Sequence, residues 1–168
     1  MARNNIPNVN IENAKIRFRN FTGEPTKFNK AGGKITFSVV LEPELAQRLI
    51  EDGWNVKSWE PEGGDEPVYH MPVEASYNLY PPKIYMISGK KKTLLTQDTI
   101  AALQYAEYEN VDIVIRPYCW EVNEKSGVKA YVKSMYVTIV EDEFEKKYRE
   151  LDEDDNDDDD DDDDALPF

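Results

Sequence analysis

A mainly β fold is what this sequence predicts, and three patterns predict it. Apolar and polar residues alternate at a period of two in several separate stretches, the signature of half-buried strands. Two such stretches, residues 111–122 and 128–140, are long and are separated only by Asn123-Glu124-Lys125-Ser126-Gly127, read as a five-residue hairpin loop with glycine where a positive φ is needed. Helical spacing, by contrast, is confined to short segments.

Taken in chain order, the elements are these. From Ile11, the residues Ala14, Ile16 and Phe18 fall on one side and Lys15, Arg17 and Arg19 on the other, which gives a first strand with a basic outer face. Gly23-Glu24-Pro25 and the stretch from Lys27 to Lys34, with its paired Gly32-Gly33, form a turn-rich connection. In the second strand Ile35, Phe37, Val39 and Leu41 alternate with Thr36, Ser38 and Val40, and the run stops at Glu42-Pro43 because proline cannot continue a ladder. Leu45, Leu49 and Ile50 then predict a short amphipathic helix over residues 44–52, closed by Gly53. Across residues 54–68, Trp54, Val56 and Trp59 fit a strand that breaks at Pro61-Glu62-Gly63-Gly64-Asp65, an irregular stretch with Trp54 and Trp59 assigned to the core; residues 69–75 return to extended structure. Tyr80-Pro81-Pro82 punctuates before a strand over residues 83–88, with Tyr85 also assigned to the core, and a basic loop at Gly89-Lys90-Lys91-Lys92. A second helix is expected over residues 96–107, capped by Thr96, with Ile100, Leu103 and either Tyr105 or Ala106 inward. After the final hairpin, residues 144–148 predict a last helical turn. Five main strands with a helix between the third and fourth is the order of an OB-fold, a five-stranded Greek-key barrel that binds oligonucleotides across one face and its loops. The stretch from Pro43 to Tyr80 is an insertion beyond a minimal barrel.

At 168 residues the chain predicts one folded domain, residues 1–150, followed by a disordered acidic tail, residues 151–168. The formal net charge of -14 is placed unevenly. Residues 1–140 carry 17 Lys and Arg against 17 Asp and Glu, whereas residues 141–168 carry 3 bases and 17 acids. The body is therefore neutral, and the terminal segment, with its aspartate run from Asp157 to Asp164, supplies all the excess acid. Adjacent carboxylates repel and gain nothing from burial, so that run is expected to stay solvated.

Cys119 is the only cysteine and His70 the only histidine, which excludes an internal disulfide and a Cys/His zinc site and suits a cytoplasmic setting. No signal-peptide core or membrane-length apolar run is present, so no membrane partner is expected. Neither Gly89-Lys90 nor Gly33-Lys34 completes a P-loop, no nucleophile elbow occurs, and the aspartate run lacks the spacing of a calcium loop. No enzyme, cofactor or bound metal is expected.

Unpaired nucleic acid requires cations for phosphates and flat side chains for bases. With Val111, Ile113 and Ile115 inward, Arg116, Tyr118 and Trp120 share the opposite face of one hairpin strand, and Lys129, Tyr131 and Lys133 share a face of the other. Side by side they make a stripe of cations and aromatics whose weak point is register, because a bulge near Ser134-Met135 would swap faces. Arg17 and Arg19 of the first strand, and Lys27, Phe28, Lys30 and Lys34 of the glycine-containing connection, are further candidates.

The aspartate run is followed by Ala165-Leu166-Pro167-Phe168, and a purely solvating tail has no physical need for Leu166 or Phe168. An acidic linker finishing in Leu-Pro-Phe resembles the C-terminal tip of bacterial and bacteriophage single-stranded DNA-binding proteins. The resemblance covers about a dozen residues and departs from the family at Ala165 and in the uniformity of the acid run. It implies a protein that coats single-stranded DNA in phage replication, recombination and repair. It also implies a tip, Asp163, Asp164, Leu166, Pro167 and Phe168, that recruits a polymerase, primase or helicase. The body does not match the tetrameric bacterial type, so a monomer or dimer is expected in the host cytoplasm. The alternative is an acidic-tailed chaperone or DNA mimic that binds basic proteins.

Overall fold

The structure is a computed structural model that describes residues 6–25, 32–64, 66–78 and 81–141. Lys27, Phe28 and Lys30, the expected turn at residues 144–148, the acidic segment and its tip lie outside the described residues. Among the described residues the elements run β1 (Val9–Ile11), β2 (Ile16–Asn20), β3 (Ile35–Leu41), α1 (Pro43–Glu51), β4 (Lys57–Trp59), β5 (Val68–Ala75), β6 (Lys83–Ser88), β7 (Lys91–Leu95), a 3-10 turn (Ile100–Leu103), β8 (Tyr108–Val122) and β9 (Lys125–Ile139).

The expected mainly β architecture forms around the β8–β9 hairpin, which pairs antiparallel from Tyr108↔Ile139 to Val122↔Lys125. One edge of β9 lies parallel to β5 and, further along, to β6. β5 pairs antiparallel with β3, and β3 with β2, so the sheet path runs β1-β8-β9-β5-β3-β2. The two ends of that path are successive pieces of chain. The Ala14 N–H donates to the Val111 carbonyl at 2.7 Å on the β8 side, and the Val40 N–H donates to the Lys15 carbonyl at 2.9 Å on the β3 side. Tying both ends curls the mixed sheet into an OB-like barrel, with β1 and β2 together serving as its first strand.

Inward residues follow the pleat: Phe37 and Val39 on β3, Met71 and Val73 on β5, Ile113 and Ile115 on β8, and Val128, Val132, Met135 and Val137 on β9 are all buried. The inward set of β9 changes parity because Lys133 is an extra residue between the pairs Ile115↔Val132 and Val114↔Ser134. α1 buries Ala46 and Leu49. It closes with Gly53 at φ +96, the Gly53 N–H on Ile50 O and the Trp54 N–H on Leu49 O, each at 3.0 Å. Trp54 is core, as its sequence context suggested.

Four local expectations are corrected. The helix over residues 96–107 is a single 3-10 turn, since only Ile100 and Leu103 are buried and Tyr105 is 85% exposed. The carbonyls beyond it are turned towards β2: Arg19 Nη1 donates to Leu103, Gln104 and Ala106 at 3.4, 3.3 and 2.6 Å, so they are not left for helical N–H groups. The loop at residues 123–127 is a two-residue turn, with Asn123 and Glu124 at φ +51 and +69 and Lys125 already paired to Val122. Residues 91–95 extend the basic loop into β7, which pairs with β6 around Gly89 and Lys90.

The fourth correction concerns Phe18. Between Arg17↔Ser38 and Asn20↔Thr36, β2 carries one residue more than β3, and Phe18 at that bulge has φ +55 and lies 66% exposed. Its place in the core is taken by Phe21, 1% exposed and stacked on Phe37 at 5.4 Å.

Candidate nucleic-acid interface

Register brings Arg116, Tyr118, Trp120 and Lys129 of the expected stripe onto one face, whereas Lys133 is the unpaired bulge residue and drops out of the alternation. Arg116 stands opposite Tyr131, Tyr118 opposite Lys129, and Trp120 opposite Gly127. Because the bulge falls at Lys133, after these pairs in β9, it leaves their faces unchanged. Tyr118 and Trp120 are 42% and 37% exposed. The Trp120 indole lies across Gly127, where a β-carbon would stand 2.9 Å from Cζ2. A side chain at that position would lift the ring; glycine lets it lie flat on the backbone.

Tyr131 has a different role from the one expected. It is 4% exposed, so its ring is not offered to solvent; it supports its neighbours instead. Tyr118 meets it edge-on at 6.0 Å and 81°, and Lys129 Nζ sits 5.0 Å from its ring centroid. Lys129 also pairs with Glu74 of β5 at 2.8 Å. Burial acts to lower the Lys129 pKa, but the hydrogen bond and charge of Glu74, joined by those of Tyr131, raise it above its ordinary value. The ammonium is therefore firmly charged at neutral pH.

Glu74, Lys129, Gly127 and Trp120 line a cleft of about 530 Å³ together with Thr36, Pro72, Trp54 and Asn55. Flat ring, cation, carboxylate and amide thus converge on one concavity, a combination suited to a planar heterocycle with hydrogen-bonding edges.

The remaining candidates are spread more widely. Arg17 is exposed on β2, Lys34 is exposed just before β3, and Lys133 is exposed at the β9 bulge. Arg19 is half-buried, engaged by the three carbonyls and by the Tyr108 ring 3.6 Å from its guanidinium carbon. Both partners serve the fold: Tyr108 donates its hydroxyl to Leu103 O at 2.6 Å, and burial, partly countered by Arg19, pushes its pKa up to about 12. The connection that carries Lys27, Phe28 and Lys30 is pinched at its base by the Gly33 N–H donating to Gly23 O at 2.7 Å. Gly32 and Gly33 are thus used at the neck, where a β-carbon on Gly32 would lie 2.8 Å from Gly23 O. Sequence reasoning assigned Tyr85 to the core, yet it stacks on exposed Tyr136 at 5.1 Å with Lys92 4.8 Å from its ring.

Among the described residues no group of His, Cys, Asp and Glu could hold a metal ion, and no helix is long and apolar enough to cross a membrane.

The phage ssDNA-binding domain family matches residues 1–167 of the chain. No curated protein matches the sequence. Among solved structures, the chain is similar to the C-terminally truncated single-stranded DNA-binding protein from bacteriophage Enc34, with a TM-score of 0.53 and 13% identity over 80% of this chain and 87% of that one. The same Enc34 protein in complex with ssDNA gives a TM-score of 0.53 and 13% identity, covering 80% of this chain and 88% of that one. At this identity the structural likeness concerns the fold.

Proposed function

The chain belongs to the phage ssDNA-binding domain family, and from that premise we propose that it binds single-stranded DNA along the outer face of its barrel, in phage replication, recombination and repair. The family is one of binding proteins, and the chain is not an enzyme. The observation that carries the proposed site is the seating of Trp120 on Gly127 beside the charged Lys129. A flat ring held open on one side, next to a cation, meets the two needs of an unpaired nucleotide.

In this reading Trp120 and Tyr118 stack on bases. Lys129, Arg116, Arg17, Lys34 and Lys133 meet phosphates, and Lys27, Phe28 and Lys30 extend the path through the connecting loop. Tyr131 holds Tyr118 and Lys129 in place, and Arg19 holds the 3-10 turn to β2. The Enc34 complex with ssDNA supports a strand-binding role for the shared fold.

The test is a gel shift with oligo-dT and with duplex DNA over a salt series, using the full chain and W120A. Preference for single strands, a steep fall with salt and a loss in W120A of roughly 5-fold or more are expected. Equal binding of W120A and wild type would remove the cleft from the reading. Absence of oligo-dT binding with capture of basic proteins would favour the chaperone or DNA-mimic alternative.

The aspartate run competes with DNA for the same cations, and its displacement makes Leu166, Pro167 and Phe168 available to replication proteins. Because such linkage is reciprocal, a partner on the tip also strengthens DNA binding. Truncation after Leu151 is expected to raise oligo-dT affinity at low salt, with the gain shrinking as salt screens the tail. Unchanged affinity would overturn the competition and leave DNA binding standing.

A further inference from the structure

The outer face of the barrel carries a second group of rings away from the Trp120 cleft. Phe18 at the β2 bulge, Trp59 of β4 and His70 of β5 lie together: Phe18 to Trp59 is 6.0 Å, Phe18 to His70 is 5.6 Å and Trp59 to His70 is 4.8 Å between centroids. His70, Pro72 and Glu74 point to the same side of β5, so His70 stands roughly 13 Å along the strand from Glu74, with Pro72 at the near edge of the cleft between them. Exposed Lys57 pairs with His70 across β4 and β5, and exposed Arg17 precedes Phe18.

The packing of the core does not account for Phe18. Phe21 fills the core at this end of β2, 1% exposed, while Phe18 sits 66% in solvent. Its φ of +55 is a left-handed conformation that a bulky L-residue adopts only at an energetic penalty. Glycine would suit that backbone better, and a polar residue would suit that exposure better. A strained backbone that holds an aromatic ring in water, flanked by two further rings and two cations, is the arrangement expected of a working surface.

We propose that Phe18, with Trp59 and His70, forms a second base-stacking platform, so that one DNA strand crosses both this group and the Trp120 cleft. The inference rests on the single-stranded DNA reading above. Flat rings beside Lys57 and Arg17 suit bases flanked by phosphates, and one OB-fold occupies roughly 4 to 16 nucleotides, room for one strand to meet both groups.

The decisive variant is F18G in the full chain, because it removes the ring and relaxes the backbone together. Its thermal midpoint is expected to equal or exceed that of wild type, while affinity for an oligo-dT of about 16 nucleotides falls roughly 5-fold or more. F18Y keeps a ring and is expected to bind as wild type. F18N, whose side chain tolerates the left-handed backbone, repeats the loss if F18G folds poorly. The double variant F18G/W120A is expected to lose affinity by about the product of the single losses. Wild-type affinity in a folded F18G or F18N would overturn the second platform, and so would a loss matched by a lowered thermal midpoint in both. If the loss in W120A persists in that event, the cleft reading survives; if wild type itself fails to bind, the DNA reading falls instead.

Discussion

The indole of Trp120 and the backbone of Gly127 face each other across the β8–β9 pair so closely that a β-carbon on the glycine would stand 2.9 Å from Cζ2 and 3.0 Å from Cε2. The ring is thereby seated on the glycine backbone, and it lines the cleft. G127A is expected to displace the indole, lower stability by about 1 to 3 kcal/mol and reduce oligo-dT affinity towards that of W120A. Tryptophan fluorescence, thermal unfolding and a binding titration check this together. Wild-type affinity with unchanged fluorescence would show that the ring does not depend on the glycine.

The turn that joins the same two strands holds Glu124 at φ +69. Two-residue hairpin turns with positive φ at both positions favour asparagine then glycine, and only Asn123 matches. E124G is expected to stabilise the protein by about 1 kcal/mol, read as a higher denaturant midpoint at an unchanged slope.

Glu74 ties up Lys129 at 2.8 Å in the cleft. E74Q removes a carboxylate from a surface proposed to meet phosphates and releases the ammonium, so oligo-dT affinity is expected to rise roughly 2- to 10-fold at low salt and less as salt increases. The pair also has a pH signature. The folded pKa of Lys129 is raised above 10.5, so its stabilisation is present below pH 10.5 and is lost as pH rises through the folded value. Alkaline unfolding midpoints of E74Q and wild type should therefore converge.

His70 titrates the other way. Burial, followed by the charge of Lys57, lowers its pKa below 6.5, so the unfolded chain takes up the proton before the folded one does. Stability is expected to fall as pH drops from 6.5 towards the lower folded pKa and to lose nothing further from this group below it. H70Q should lose less than wild type between pH 7.5 and 5.5 in denaturant midpoints, against the common background of carboxylate titration; equal losses would contradict the assignment.

Much of the candidate site was legible along the chain. Arg116, Tyr118 and Trp120 share a face because a paired strand alternates strictly, and the long hairpin brought Lys129 opposite Tyr118 without any knowledge of the rest of the barrel. Tyr131 obeyed the same alternation but is buried, since β5 lies along β9 at Glu74↔Tyr131 and Tyr118 and Lys129 meet its ring. Alternation gives a direction; exposure depends on what stands on the adjacent strand. Arg19 was read as an outer cation for the same reason, and the carbonyls that engage it lie more than eighty residues away in sequence.

By itself the sequence determined the mainly β class, the order of the principal strands, the neutral body with its acidic extension, and the face shared by Arg116, Tyr118, Trp120 and Lys129. These follow from local period, proline and glycine punctuation and charge count, which need no distant partner. Tertiary structure alone decided that Phe18 faces solvent, that residues 96–107 hold only the 3-10 turn Ile100–Leu103, that Gly127 seats an indole and that β5 runs parallel to β9. Each depends on a non-local pairing: an extra residue against β3, carbonyls drawn to Arg19, a ring across the hairpin, and a sheet whose ends are joined through Ala14 and Lys15. Bulges and close approaches arise where one strand's register must fit another's, and that fit exists only once the barrel has formed.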